Sequence, residues 1–217
     1  MPAMPPRKDE APKLFVAPLS GYCYKPALAM HLMGLPFVCR AVDISRPRVA
    51  RSPEFRALAR FDEVPVLKID GIVICQSNLI LEYVARRESK LREGDASQRM
   101  QVREWLYWEA ERIGLDLAHC VSARRFGGYP ESVVTWYGHR LVEDLRKLDE
   151  TLRKQSFLVG ENPTIADIAC AAWFPFARDS GVDVDLFEAV GAWWKRIESL
   201  PGFVTPQQAF ADVENGA

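Results

Sequence analysis

Two neighbouring features in residues 64–77 could bind a short peptide that carries a free carboxylate. The first is an extended pattern that begins at Val64-Pro65, where the proline cannot donate to a sheet ladder and therefore indicates an edge or the first residue of a strand. The second is Gln76-Ser77, where a strand pattern ends and a helical pattern begins. An exposed strand edge suits an extended peptide, and free N–H groups at a helix N-terminus suit a carboxylate. The same residues also fit an ordinary edge hairpin in which Ser77 is only the N-cap.

A hairpin and the helix after it position these residues. The apolar runs Val64–Ile69 and Ile72–Cys75 flank Asp70-Gly71. An Asp-Gly pair is typical of a type I′ turn, because both central residues of that turn need φ > 0. The helix should extend to about Arg86, since apolar residues recur at helical spacing, namely Leu79, Ile80, Tyr83 and Val84.

The residues before the hairpin predict two further pairs of a strand and a helix. We expect strands at 13–17 and 37–43, a helix that ends near Met33 and a shorter helix over 52–59. Gly34 fits the C′ position after a helix, and Ser52-Pro53 fit an N-cap followed by proline at N1. With the hairpin and its helix, the predicted order is βαβαββα.

After residue 97 the sequence shows only helical patterns. Helices are predicted over 98–125, 131–154 and 185–200, with a break at Gly127-Gly128. Thr164 and Asp167 form a capping-box variant at the start of another helix. We therefore expect a loose tail at 1–12, a first domain at 13–87, a linker at 88–97 and an all-α domain at 98–217.

Composition and charge exclude several classes of function. A net charge of −1 in 217 residues gives no electrostatic argument for a nucleic-acid or membrane partner. No apolar run approaches the roughly 20 residues of a membrane span, and the polar, proline-rich start does not resemble a secretory signal. The five cysteines are scattered and the three histidines show no metal or triad spacing. We therefore predict no metal site and a cytoplasmic protein with reduced thiols.

The segment EVPVLKIDGIVICQSNLILEYV resembles the glutathione-binding core of the glutathione S-transferase family, and its wording is nearest to the zeta class. The resemblance runs from about Lys13 to about Phe203 and includes the stretches PTIADIA and AWWKRIESLPGF. It implies the glutathione transferase fold, a thioredoxin-like N-terminal domain followed by an all-α helical-bundle domain. It also implies glutathione as the co-substrate.

The resemblance implies a role for several residues of the core segment. The bond between Val64 and Pro65 would be cis, and the backbone of Val64 would pair with the cysteinyl part of glutathione. Gln76 and Ser77 would hold the γ-glutamyl end. Arg51, which lies just before the second predicted helix, would contact the glycyl carboxylate.

Members of this family activate the glutathione thiol, and the resemblance places the activating group just after the first strand. Only the thiolate is a good nucleophile, and an unperturbed thiol has a pKa of about 8.5. A hydroxyl aimed at the sulfur near a helix N-terminus favours the thiolate. SGYCYKPALA resembles the serine-using loops of the family, so Ser20 is the predicted activating residue. Ser20 could instead be only a helix cap, and the same loop offers as alternatives Tyr22, Cys23 and Tyr24.

The resemblance predicts a homodimeric glutathione transferase that acts on small electrophiles in detoxification. The electrophile pocket is expected between the domains, and its candidate lining residues are Tyr22, Trp105, Trp108 and Arg112. One alternative is a glutathione-dependent cis–trans isomerase of zeta type (maleylacetoacetate isomerase-like), although Ser20-Gly21-Tyr22 departs from the SSC run of that class. The other alternative is a non-catalytic member that binds protein partners.

Overall fold

The computed structural model describes residues 10–92 and 94–213. Residues 1–9 of the predicted tail, residue 93 of the predicted linker and residues 214–217 lie outside the described part. The chain forms two compact units. One extends to Lys90 and resumes at Val204, and the other spans Leu91–Phe203.

The first unit is a sheet with helices, and the second is helical. The elements of the first unit are β1 (Lys13–Val16), α1 (Gly21–Met33), β2 (Val38–Ala41), a 3-10 turn (Arg48–Ala50), α2 (Pro53–Leu58), β3 (Val66–Ile69), β4 (Ile72–Cys75) and α3 (Ser77–Glu88). The second unit contains α4 (Ala96–Glu111), α5 (Ile113–Phe126), α6 (Glu131–Leu152), α7 (Ile165–Ala171), 3-10 turns (Phe174–Ser180 and Val184–Leu186) and α8 (Glu188–Glu198). Among the described residues no strand follows β4, and the short α9 (Pro206–Ala209) belongs to the first unit. The βαβαββα order of the first unit up to α3 and the fold class are those predicted.

The sheet has the strand order β2-β1-β3-β4, with β1 parallel to β2 and the other pairs antiparallel. Phe15 pairs with Val66, and Val66 pairs with Cys75. β3 therefore lies inside the sheet, which corrects the expectation that it presents an exposed edge. The hydrogen-bond ladder of β3 begins at Val66. Pro65, just ahead of it, has no N–H to donate to a neighbouring strand.

The hairpin turn fixes α3 as well as joining two strands. Asp70 and Gly71 have φ values of 51° and 78°, as the predicted type I′ turn requires. The buried carboxylate of Asp70 accepts hydrogen bonds from the Tyr83 hydroxyl at 3.0 Å and from Arg87 Nε at 2.7 Å. Both donors lie on α3, so the turn ties that helix to the end of the hairpin.

A break at Arg112 divides the helix predicted over 98–125. Arg112 has φ −125° and ψ −105°, and α4 ends before it. Its Nη2 lies 2.7 Å from a carboxylate oxygen of Asp144, which is buried, and Arg140 Nε lies 3.0 Å from both oxygens of the buried Asp116. Burial raises the pKa of Asp144 to about 7, and the Asp116 carboxyl adds to the shift. Helical periodicity alone does not reveal this buried charge cluster.

The segment after Phe203 packs in the first unit, which corrects the predicted all-α domain at 98–217. The fully buried Tyr24 donates its hydroxyl to the carbonyl of Val204 at 2.5 Å, and α9 contacts α1. A four-residue helix has too short a pattern to indicate which unit it joins. The Tyr24 hydroxyl is therefore used in this contact.

The predicted capping box at the start of α7 is present and extends further than expected. Thr164 Oγ1 accepts from the Ala166 N–H at 3.2 Å, and Asp167 accepts from the Thr164 N–H at 2.8 Å. The fully buried Asp167 carboxylate also accepts from the Leu158 N–H at 2.8 Å and from Trp193 Nε1 at 3.0 Å. One carboxylate thus joins three segments of the second unit.

Asp167→Asn should therefore destabilise the protein by about 3–5 kcal/mol, because an amide nitrogen would face backbone donors in a buried site. Urea unfolding followed by circular dichroism measures the loss. Asp179→Asn is the matched control, since Asp179 pairs with Arg125 at the surface at 2.6 Å and should cost less than about 1 kcal/mol. Equal losses in the two variants would contradict this role of Asp167.

Candidate functional site

The segment ahead of β3 leaves one backbone amide and one carbonyl without partners. Val64 is half-buried, and its bond to Pro65 is cis, as expected. Across residues 10–92 and 94–213, neither the N–H nor the C=O of Val64 has a hydrogen-bond partner. Backbone groups away from water normally have partners. This pair is therefore available to an extended ligand, which would lie alongside the segment as a short strand.

Arg51 holds the chain just before Val64. Its Nη1 donates to the carbonyl of Asp62 at 2.6 Å, and Asp62 has φ 55°, which is uncommon for a residue other than glycine. Its Nη2 lies 3.4 Å from the carbonyl of Ile44. In the structure these two nitrogens thus serve carbonyls of the protein itself.

The N-terminus of α3 lies beside the end of β4. The exposed Gln76 is the N-cap residue with φ 83°, and its side chain makes no cap hydrogen bond. Ser77 is the first residue of the helix and is buried. The first helical bond runs from the Ile80 N–H to the Gln76 carbonyl at 3.0 Å, so the N–H groups ahead of it are outside the helical ladder. Ser77 is therefore not the N-cap that the alternative interpretation required.

A buried lysine that the sequence analysis missed reaches this helix end. Lys25 on α1 is fully buried, and its Nζ lies 3.2 Å from Ser77 Oγ and 2.8 Å from Asn78 Oδ1. The sequence signal that could have pointed to Lys25 is a single charged residue directly before the apolar run PALAM. A charged residue is almost never fully buried unless it has partners.

The loop between β1 and α1 holds Ser20 directly before the helix. Ser20 is the N-cap residue of α1, but its side chain makes no cap hydrogen bond to a helix N–H. The Ser20 hydroxyl acts to lower the pKa of the Cys23 thiol, and the Cys23 Sγ accepts a hydrogen bond from the Ala17 N–H at 3.3 Å. Burial nevertheless raises the pKa of the Cys23 thiol to about 12. Cys23 therefore stays protonated near pH 7 and packs the loop.

The sheet register brings these segments to one end of the first unit. Because Phe15 pairs with Val66 and Val66 with Cys75, the loop after β1, the segment before β3 and the start of α3 all leave the sheet at that end. The end thus combines a hydroxyl, an unpaired backbone segment and a helix N-terminus. Such a set can bind an extended peptide, accept its carboxylate and place a hydroxyl beside it.

The candidate pocket residues are divided between the two units. Tyr22 belongs to the first unit, where it is half-buried with Lys25 Nζ 5.4 Å from its ring centroid. Trp105 and Trp108 of α4 contact each other edge to face with centroids 5.2 Å apart. Arg112 is paired with Asp144, as described above. Their role in an electrophile pocket stays a prediction.

The described residues contain no group of three or more His, Cys, Asp and Glu side chains placed to hold a metal ion. None of the helices in those residues combines the length and apolarity that crossing a membrane requires.

Comparison with known proteins identifies the family. The models of the glutathione S-transferase N-terminal and C-terminal domains match residues 19–87 and 139–201. Glutathione S-transferase theta-2 of Mus musculus is 28% identical over 205 residues, which cover 87% of this chain and 83% of the relative. Disulfide-bond oxidoreductase YfcG of Escherichia coli is 27% identical over 161 residues, with coverages of 72% and 74%. The crystal structure of a glutathione S-transferase from Pseudomonas fluorescens has a TM-score of 0.84 at 29% identity and covers 91% of this chain and 99% of that one. The chain therefore belongs to the glutathione S-transferase family.

Proposed function

We propose that this protein is a glutathione transferase, which binds glutathione at the end of the sheet in its first unit and activates the thiol for attack on small electrophiles. The observation that carries the proposal is the unpaired backbone of Val64 beside the N-terminus of α3. Glutathione is an extended tripeptide with a carboxylate at each end, so it complements both features.

In this proposal the cysteinyl part of glutathione pairs with the N–H and C=O of Val64. The γ-glutamyl carboxylate lies at the N-terminus of α3, where Gln76, Ser77 and the first-turn N–H groups can donate to it. Arg51 holds the Asp62 carbonyl at 2.6 Å, and thereby the segment that contains Val64. Its contact with the glycyl carboxylate stays a prediction.

Ser20 is the proposed activating residue. A hydroxyl hydrogen rotates toward the strongest acceptor within reach, and a glutathione thiolate is such an acceptor. A shift of two pKa units corresponds to about 2.7 kcal/mol, which one charge-assisted hydrogen bond can largely supply. Cys23 is a poor nucleophile because its thiol is fully buried and its pKa is raised to about 12.

Other reactions of a bound thiolate would use the same site. The relative YfcG is named a disulfide-bond oxidoreductase, and a zeta-type isomerase also needs activated glutathione. A non-catalytic binding module is the third candidate, and another relative is not named a transferase but Elongation factor 1-gamma 3, of Oryza sativa subsp. japonica. Turnover of chlorinated aromatic, maleyl and disulfide substrates with glutathione distinguishes these functions, and the absence of all turnover favours the module.

We also propose a cytoplasmic homodimer. All five cysteines are free thiols, which fits a reducing compartment. In the second unit α4 exposes Met100 and Tyr107, with 62% and 74% of their surfaces accessible. Large apolar side chains on the outer face of a helix suit contact with a second subunit.

Ser77→Ala should weaken glutathione binding by about 1.5–3 kcal/mol, because it removes one hydrogen bond to a charged group. Isothermal titration calorimetry with glutathione measures the change. Ser89→Ala, at the exposed opposite end of α3, is the matched control and should leave the affinity unchanged. An unaltered affinity in Ser77→Ala would remove Ser77 from the site.

Ser20→Ala should raise the pKa of bound glutathione by about one to two units and shift the pH–rate profile to higher pH, because the lost bond favours the thiolate. Its affinity for glutathione should change little, since other groups carry the ground-state binding. Thiolate absorbance of bound glutathione against pH provides the measurement. Cys23→Ala and Tyr22→Phe are the comparison variants, and a shift in one of them but not in Ser20→Ala would show the assignment to be wrong.

A further inference from the structure

Lys25 is a buried cation whose position the proposed function does not yet explain. The side chain is fully buried in the first unit, and its Nζ lies 3.2 Å from Ser77 Oγ. Burial of a charged side chain is costly, and a cation beside a helix N-terminus is on the unfavourable side of the helix dipole. An anion bound at the same helix end would attract both the ammonium group and the positive end of the helix dipole, and would therefore offset this cost.

The direction of the hydrogen bond between Lys25 and Ser77 is fixed. An ammonium group carries three donors and no acceptor, so Ser77 Oγ must accept in this hydrogen bond. The hydroxyl hydrogen of Ser77 must then point elsewhere. Within the described part of the chain this hydroxyl donates no hydrogen bond, although Ser77 is only 8% exposed. The hydroxyl is thus set to donate to a group that arrives with the ligand.

We propose that Lys25 is a positioning residue for the γ-glutamyl carboxylate of glutathione. It orients the Ser77 hydroxyl as a donor and adds a positive charge behind it, so that this end of the site selects ligands with a carboxylate there. The proposal rests on the proposed function, because it assigns a further residue to the same site. Asn78 Oδ1, at 2.8 Å from Nζ, helps to hold the ammonium group in place.

The test compares two ligands by calorimetry, glutathione and 4-aminobutyryl-cysteinyl-glycine, which lacks only the γ-glutamyl carboxylate. Lys25→Met should weaken glutathione binding about tenfold or more and leave the affinity for the analogue unchanged. In steady-state assays the KM for glutathione should rise while kcat and the pH–rate profile stay the same. Ser77→Ala should cost less affinity in the Lys25→Met background than in the wild type, because both changes remove the same oriented donor.

Two further variants keep the test decisive. Lys25→Gln replaces Lys25→Met if the latter does not fold, and it separates the hydrogen bond from the charge, since an amide can donate without being cationic. Lys90→Met is the matched control, because its Nζ donates to the carbonyl of Met33 at 2.7 Å in the same unit. This control should bind both ligands as the wild type does.

The outcomes distinguish this inference from the proposed function. Equal losses for both ligands in Lys25→Met, with intact folding, would reduce Lys25 to a structural residue and overturn the inference. An unchanged glutathione affinity in Lys25→Met and Lys25→Gln would overturn it as well. Either outcome leaves the proposed function standing, provided that the wild type binds glutathione. A wild type that binds neither ligand would overturn both.

Discussion

The unpaired N–H and C=O of Val64 are the constraint on which the candidate site depends. Val64 is a half-buried residue whose backbone amide and carbonyl need partners in water, protein or ligand, and the described residues supply none. The chain holds this segment in place from both sides. β3 begins two residues later in the middle of the sheet, and Arg51 fixes the carbonyl of Asp62 two residues earlier at 2.6 Å. An unpaired segment that is held on both sides is pre-organised for an extended peptide.

The second requirement is that α3 keeps its N-terminus beside that segment. The buried Asp70 carboxylate ties Tyr83 and Arg87 of α3 to the hairpin turn, and Lys25 reaches the first turn from α1. The helix is therefore held at both ends by charged groups. This arrangement concentrates donors where a carboxylate would bind. The buried Cys23 thiol stays neutral, and the Ser20 hydroxyl lies directly before the start of α1.

Local signals in the sequence were enough to predict much of the fold. The Asp70-Gly71 turn and the Thr164 capping box depend on short-range geometry that residue types determine, and both are present. Three features depend on contacts between distant residues and could not be read from periodicity. They are the Lys25 to Ser77 contact across 52 residues, the break at Arg112 beside Asp144, and the packing of Val204 against Tyr24. The inside position of β3 was also missed, because strand order follows from pairing partners rather than from the strand's own pattern.

The most direct test of this account is a crystal structure of the protein grown with glutathione. The account predicts that the cysteinyl N–H and C=O lie within about 3 Å of the C=O and N–H of Val64. It also predicts that the γ-glutamyl carboxylate lies at the N-terminus of α3 and accepts from Ser77. Glutathione bound elsewhere, or a Val64 backbone that remains unpaired at saturating glutathione, would contradict it.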